Sequence, residues 1–155
     1  PAGQQPASAP AAHERGGRLM ADIGWYNGWS PQERLATLPV QKAAIASGEL
    51  ARPTRCSICG CAHNRQDWRA DDAVWLHDED YARPLAAYAA CRRCHRTLHR
   101  RFDDPEPWQT LIAQYGSNGA AWFEQLSMDP ASQHRPFAQT YPDGLPPAES
   151  PGRSS

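Results

Sequence analysis

Two short cysteine motifs decide the fold: residues 56–60 read CSICG, and residues 91–99 read CRRCHRTLH. In each motif the C-x-x-C spacing presents two thiols on one tight turn. Two such turns complete the tetrahedral all-sulfur shell that a structural Zn²⁺ accepts. The sequence therefore predicts one structural zinc site with four ligands, which are Cys56, Cys59, Cys91 and Cys94.

A fifth cysteine, Cys61, follows Cys59 by two residues. Cys61 could compete as a ligand, but Gly60 suits the positive φ of a tight turn after Cys59, so Cys61 is interpreted as a spare thiol. An odd cysteine count without an apolar signal-peptide stretch indicates a reducing, cytoplasmic setting. In that setting paired C-x-x-C motifs bind metal more often than they form disulfides, and a disulfide pair or chance spacing is the alternative interpretation.

The composition indicates one small domain with unstructured ends. The 155 residues include 15 Pro and 11 Gly, and the mean hydropathy is -0.73. We expect a disordered segment at residues 1–20, a domain at residues 21–128 with its core at residues 52–102, and a disordered Pro-rich tail at residues 129–155. Met20 is a candidate for the natural start. No run approaches membrane-spanning length, so no membrane partner is expected.

Local signals predict a small α+β domain that is mostly helical. Ser30-Pro31-Gln32-Glu33 combines an N-cap, a proline at the first helical position and a capping-box Glu, so a helix should begin there. Pro39 either interrupts this helix or opens a second one that ends at Gly48. Further along we expect a strand at residues 73–77, a turn and then a helix over residues 86–102, and helices over residues 104–115 and 117–126.

Two histidines, His95 and His99, stand four residues apart directly after the second cysteine motif. On a helix this spacing places both rings on one face, where they could hold a second metal ion. His77, at the end of the predicted strand, could approach the same face. The alternative is that His95 forms a hydrogen bond near the zinc turn while His99 is a solvated surface residue.

The charges are unevenly distributed, although the net charge is only -1. Residues 91–101 carry five arginines and no acid. Such a local run can contact phosphates, whereas the overall charge gives no indication of a partner. The candidates for nucleic-acid binding are Arg92, Arg93, Arg96 and Arg100.

The motifs, taken in this order, resemble the zinc-bearing HNH endonuclease family. The resemblance is carried by LHDEDYARPL at residues 76–85 and by CRRCHRTLH at residues 91–99, and it covers residues 56–102. It implies a ββα-metal core of the treble-clef kind, in which a β-hairpin and a helix cradle one catalytic divalent ion. It also implies a separate four-cysteine zinc site that holds the ends of this core together, with further helices flanking it.

Carried over residue by residue, the resemblance gives catalytic roles to His77, Asp78 and His95. His77 is a metal ligand or one of the two residues that provide the general base. His95 and His99 lie on the helix that supplies the distal metal ligands. Asp78 stands where many members have the general-base histidine, and Ala86 replaces a frequent asparagine. With an ordinary pKa of about 4, an Asp is a weaker base than a His at neutral pH.

Two functions of different classes follow from these residues. The first is an HNH-like nucleic-acid-binding protein that acts as a divalent-metal-dependent endonuclease, cleaving DNA phosphodiester bonds with Mg²⁺, Mn²⁺ or Ni²⁺ as the second ion. The alternative is a catalytically degenerate zinc module that binds nucleic acid or a protein partner. Asp78 and Ala86 favour the module, whereas His77 with the His95/His99 pair favours the nuclease.

Overall fold

The computed structural model describes residues 23–116 and 121–147. The predicted disorder of residues 1–20, the candidate start at Met20 and the end of the predicted tail lie outside these ranges. Within them the chain has a small α+β fold with one two-stranded sheet. Its elements are α1 (Pro31–Ser47), β1 (Val74–His77), β2 (Tyr88–Cys91), α2 (Arg92–His99), α3 (Pro105–Tyr115), α4 (Ala121–Glu124) and α5 (Phe137–Thr140), with 3₁₀ helices at Pro84–Ala86, Arg100–Phe102 and Pro130–Gln133.

Helix α1 begins where its capping signal predicts. The Ser30 hydroxyl accepts a hydrogen bond from the Glu33 N–H, and the Glu33 carboxylate accepts one from the Ser30 N–H. This capping box satisfies two amide groups that a helix start otherwise leaves unpaired. Pro39 lies inside the helix, so the chain forms one helix here rather than two, and Gly48 ends it with a left-handed φ of 81°.

The two strands form an antiparallel pair at the centre of the described structure. Val74 lies opposite Cys91, and His77 lies opposite Tyr88. The strand predicted at residues 73–77 is confirmed as β1. The prediction of a turn followed directly by a helix is wrong for β2, because this short YAAC segment is held extended by its pairing with β1 rather than by a periodicity of its own.

Helix α2 starts at the residue where β2 ends. Cys91 is both the last residue of the strand and the N-cap of the helix, where its sulfur accepts a hydrogen bond from the Cys94 N–H. Cys94 and Leu98 form the buried face of α2. The Trp75 ring of β1 lies 5.8 Å from the His95 ring of α2. The strand pair and the helix therefore form one packed unit.

The C-terminal segment packs onto the core, which corrects the predicted disorder of residues 129–155 for the part that is described. Phe137, Tyr141 and Leu145 are buried. The Phe137 ring lies 5.6 Å from the ring of Trp29. These three anchors, spaced four residues apart, bury enough apolar surface to offset the entropy of ordering a proline-rich segment.

A close backbone contact joins this segment to the turn before α1. The Gly28 N–H donates to the Gln133 carbonyl at 3.1 Å. A Cβ at Gly28 would lie 2.2 Å from the Arg135 carbonyl oxygen, and the φ of Gly28 is +86°. Both the space and the backbone conformation therefore require glycine at this position.

The apolar core gathers residues from the first cysteine turn, both strands, helices α2, α3 and α4 and the C-terminal segment. Leu98, Trp108 and Phe123 are all 0% exposed within it. Helix α3 agrees with the predicted helix over residues 104–115, and α4 covers only residues 121–124 of the helix predicted over 117–126, of which residues 117–120 are not described. None of the helices in the described part combines the length and the apolar character needed to cross a lipid bilayer.

Candidate metal centres

The four predicted cysteine ligands lie together in space. One sulfur from each lies within 4.8 Å of every other, and the Sγ atoms of Cys59 and Cys91 are 3.8 Å apart. All five cysteines are free thiols, so the disulfide alternative is wrong. Four sulfurs at these separations can hold one metal ion. The cluster consists of Cys56, Cys59, Cys91 and Cys94.

Two turns bring the cysteines together. The first is closed by a hydrogen bond of 2.9 Å from the Gly60 N–H to the Cys56 carbonyl, and Gly60 has the positive φ expected for this position, 76°. Ser57 docks this turn on β2, because its N–H and its hydroxyl both donate to the Ala89 carbonyl, at 2.8 and 2.6 Å. The second turn is the junction of β2 and α2 at Cys91. The sheet therefore fixes the separation of the two cysteine pairs.

The pKa values of the thiols show how strongly the sulfurs interact. Hydrogen bonds from Cys91 and Cys94 lower the pKa of the Cys56 thiol far below its usual value, whereas the hydrogen bond with Cys56 raises the pKa of Cys91 to about 11. Neighbouring thiols can stabilise one thiolate, but a cation is needed before all four ionise. Cys61 lies outside the group of four, and burial raises its pKa. This agrees with the interpretation of Cys61 as a spare thiol.

A second cluster joins three histidines across β1 and α2. His77 is the last residue of β1, and His95 and His99 lie one turn apart on α2. One ring nitrogen from each residue lies within 4.8 Å of the others. The Nε2 atoms of His95 and His99 are 3.1 Å apart. The structure thus brings together all three predicted ligands of a second ion, and His99 is half-buried rather than a solvated surface residue.

The two histidine rings on α2 have the protonation state that a metal ion requires. Burial lowers the pKa of His95 to about 3 and lowers the pKa of His99 well below its usual value. Both rings are therefore neutral at pH 7 and each offers a lone pair. His77 is buried, and its Nδ1 has no hydrogen-bond partner among the described residues. This donor set fits a divalent cation, for which neutral imidazole is a common ligand.

A buried carboxylate that the sequence reasoning missed lies beside His77. Glu79 is 1% exposed, and its Oε1 lies 2.7 Å from His77 Nε2. Glu79 also accepts hydrogen bonds from the Tyr26 hydroxyl at 2.5 Å and from the Asn27 amide at 2.6 Å, and it pairs with Arg101 at 3.4 Å. Burial raises the pKa of Glu79, but the charge of Arg101 and the hydrogen bonds from His77 and Tyr26 outweigh this and bring it below the usual value. The carboxylate is therefore ionised at neutral pH.

A signal for Glu79 was present in the sequence. Glu79 follows His77 by two residues, and side chains two apart in an extended segment point to the same side. The acidic run that contains Glu79 gave no indication of which of its carboxylates is buried, since charged residues are mostly exposed.

The structure does not bring Asp78 to the histidines. Its carboxylate accepts hydrogen bonds of 2.8 and 2.9 Å from the Gln41 side chain of α1. The His77 ring, in contrast, lies 4.9 Å from the ring of His95. Asp78 is buried, which raises its pKa to about 6, and it is not part of the three-histidine group. The position of Asp78 therefore does not support the role of general base. Ala86 lies in the 3₁₀ helix between β1 and β2.

Three of the four predicted nucleic-acid-binding arginines border one groove beside α2. Arg92 lies outside this groove, 3.8 Å from Asp71, which also accepts a hydrogen bond from Arg96 at 2.8 Å. Arg101, the last arginine of the run, is fully buried against Glu79. The groove has a volume of about 210 Å³ and is lined by Arg93, Arg96, Thr97, Arg100, Asp104 and Pro107.

Comparison of the chain with protein-family models, with curated proteins and with solved structures finds no match. Inferences about function therefore rest on the geometry of the two clusters. The sulfur cluster has three buried residues and one half-buried residue, whereas the nitrogen cluster has one buried residue on β1 and two half-buried residues on α2.

Proposed function

We propose that the four-cysteine cluster holds one structural Zn²⁺. Sulfur ligands bound at about 2.3 Å in a tetrahedron lie about 3.8 Å apart, and the Sγ atoms of Cys59 and Cys91 have this separation, 3.8 Å. Cys56, Cys91 and Cys94 are each at most 2% exposed, which suits a closed site that admits no further ligand. In this proposal zinc holds the first cysteine turn to the strand pair and to α2.

We further propose that the chain is an HNH-like endonuclease that depends on a divalent ion and cleaves DNA. The observation that carries the proposal is the three-histidine cluster, which draws one ligand from β1 and two from α2. A strand pair followed by a helix is the arrangement that the sequence resemblance implies for the catalytic core. Three protein ligands also leave a coordination position open, as catalytic metal sites do.

Each part of the proposed site has a defined task. His77, His95 and His99 would hold the ion through neutral ring nitrogens. An ion held by these residues would supply Lewis-acid stabilisation of charge on the scissile phosphate. The groove arginines, two on α2 and Arg100 in the 3₁₀ helix that follows it, would neutralise backbone phosphates and position DNA without reading its bases.

A second candidate function is a zinc module that binds nucleic acid or a protein without cleaving a substrate. The observation that favours it is the position of Asp78, whose carboxylate is held by Gln41. The position at which the resembled family has its general base therefore contributes no base to the histidine cluster. In this version the groove would still bind phosphates, and the histidines would contribute no catalysis.

A nicking assay on supercoiled plasmid DNA with Mg²⁺, Mn²⁺ or Ni²⁺ separates the two functions. The nuclease proposal expects metal-dependent nicking that is lost in His95→Ala. His134→Ala, which alters an exposed histidine of the C-terminal segment, is the matched control and should nick normally. Nicking that survives His95→Ala would overturn the assignment of the site, and DNA binding without nicking under all three ions would favour the module.

A further inference from the structure

We infer that Glu79 is a positioning residue for the histidine cluster: it fixes His77 in the tautomer with its proton on Nε2, so that Nδ1 is the nitrogen offered to the ion. This inference deepens the proposed function and rests on it for the second ion. Glu79 itself is not proposed as a ligand, since it does not belong to the group of side chains whose donor atoms lie together.

The contact between Glu79 and His77 determines where the proton of the ring lies. Oε1 and Nε2 are 2.7 Å apart, and both side chains are 0% exposed. Both oxygens of Glu79 accept hydrogen bonds from other groups, Oε1 from the Tyr26 hydroxyl and Oε2 from the Asn27 amide. Glu79 therefore acts as an acceptor here, and Nε2 is the donor in its contact with Oε1. A neutral imidazole with its proton on Nε2 has its lone pair on Nδ1. A carboxylate in this position also makes the ring a stronger ligand.

The other nitrogen of His77 lacks a partner. Nδ1 is buried and forms no hydrogen bond within the described ranges. Leaving a buried polar atom unpaired costs about 1–3 kcal/mol, so a partner at this atom would stabilise the folded protein. The rings of His95 and His99 lie 4.9 and 5.0 Å from the His77 ring, which makes an ion shared by the three residues the partner that we infer.

Glu79 is held in place from several directions. The hydroxyl of Tyr26 and the amide of Asn27 bind its two carboxylate oxygens, and Arg101 supplies the compensating charge. The Trp29 indole N–H donates to the backbone carbonyl of Glu79 at 3.1 Å. These groups come from the turn before α1 and from the chain after α2. The carboxylate is therefore fixed independently of any ion, and it orients the ring of His77 before an ion binds.

The test compares two neighbouring buried carboxylates. Glu79→Gln removes the charge beside His77, and Asp78→Asn removes a charge one residue away that faces Gln41. Full-length protein carrying one equivalent of Zn²⁺ is titrated with Co²⁺, and binding at the second site is measured by calorimetry. We expect Glu79→Gln to weaken Co²⁺ binding about 10–100-fold and Asp78→Asn to leave it unchanged. Equal Co²⁺ affinities of wild type and Glu79→Gln would overturn the inference.

A second measurement needs no variant and separates the inference from the proposed function. Long-range proton–nitrogen NMR spectra of the wild-type protein with one equivalent of Zn²⁺ report which ring nitrogen of His77 is protonated. A proton on Nε2 supports the role of Glu79, and a proton on Nδ1 overturns it. If wild type binds no Co²⁺ at a second site, the proposed second ion fails, while the tautomer still decides whether Glu79 orients His77.

Discussion

The four-cysteine and three-histidine clusters share one helix but differ in how deeply their residues on that helix are buried. Cys91 and Cys94 lie at the buried start of α2, whereas His95 and His99 are half-buried on the turns that follow. The first cluster offers four sulfurs, and the second offers three ring nitrogens. Two clusters built within a few residues of each other on one helix therefore differ in donor chemistry and in burial.

Removing one sulfur ligand should have the largest effect. Cys94→Ser should unfold the domain, because structural zinc contributes about 10–16 kcal/mol in small zinc modules and a domain has only about 5–15 kcal/mol of net stability. Circular dichroism during thermal unfolding measures this, with zinc content determined in parallel. Cys61→Ser, at the cysteine outside the cluster, is the control and should unfold like wild type. An unchanged unfolding midpoint for Cys94→Ser would show that the cysteines do not hold the fold together.

Removing ligands from the histidine cluster should leave the fold intact. The double variant His95→Ala/His99→Ala should bind the first equivalent of Co²⁺ and show its thiolate charge-transfer absorption. Affinity for the second equivalent should fall more than about 100-fold, because losing two ligands costs more than losing a group that only orients a ligand. Absorption titration measures both sites in one experiment. Loss of the first equivalent as well would mean that the two clusters are not separate.

Neutralising the groove should weaken DNA binding, and zinc content is measured in parallel because Arg93 interacts with Cys59 of the cysteine cluster. The variant Arg93→Gln/Arg96→Gln/Arg100→Gln should reduce the slope of log affinity against log salt concentration by about 2–3, since each phosphate contact contributes about 0.9. Fluorescence anisotropy at several salt concentrations measures the slope. Arg52→Gln/Arg65→Gln changes two exposed arginines outside the groove and serves as the control. An unchanged slope would mean that the groove arginines are only solvated.

The smallest expected effect is that of Asp78→His. Because Asp78 faces Gln41 of α1, a histidine at this position should not reach the proposed metal site, and the nicking rate should stay at the wild-type level. A well-placed general base is worth about 100-fold or more, so a real gain would be visible in the plasmid assay. A gain of that size would show that residue 78 can reach the substrate and would restore its role as the base position.

The members of the two clusters could be predicted from sequence because the spacing of cysteines and histidines is itself chemical information. The two C-x-x-C motifs and the His95/His99 pair are local patterns, and each is confirmed as part of a cluster. Strand β2 and the burial of Glu79 could not be predicted in the same way. Both depend on residues far away in the chain, β1 for the strand and Arg101 with Tyr26 for the carboxylate.

The direction of Asp78 and the order of the C-terminal segment were missed for a related reason. Sequence adjacency places Asp78 beside His77, but an extended chain sends the two side chains to opposite sides. The proline content after residue 128 indicates disorder, yet Phe137 and Tyr141 are enough to anchor the segment. A composition averaged over many residues does not register a few apolar anchors.

The contact of Gly28 with the C-terminal segment predicts where the chain can be cut without loss of the fold. A fragment cut after residue 128, where composition places the domain boundary, would lose Phe137 and Tyr141 and would uncover the face of Trp29 that they protect. Exposed aromatic surface of this kind promotes aggregation. Such a fragment should precipitate even when both cysteine turns are intact, and a fragment over residues 23–147 should remain in solution.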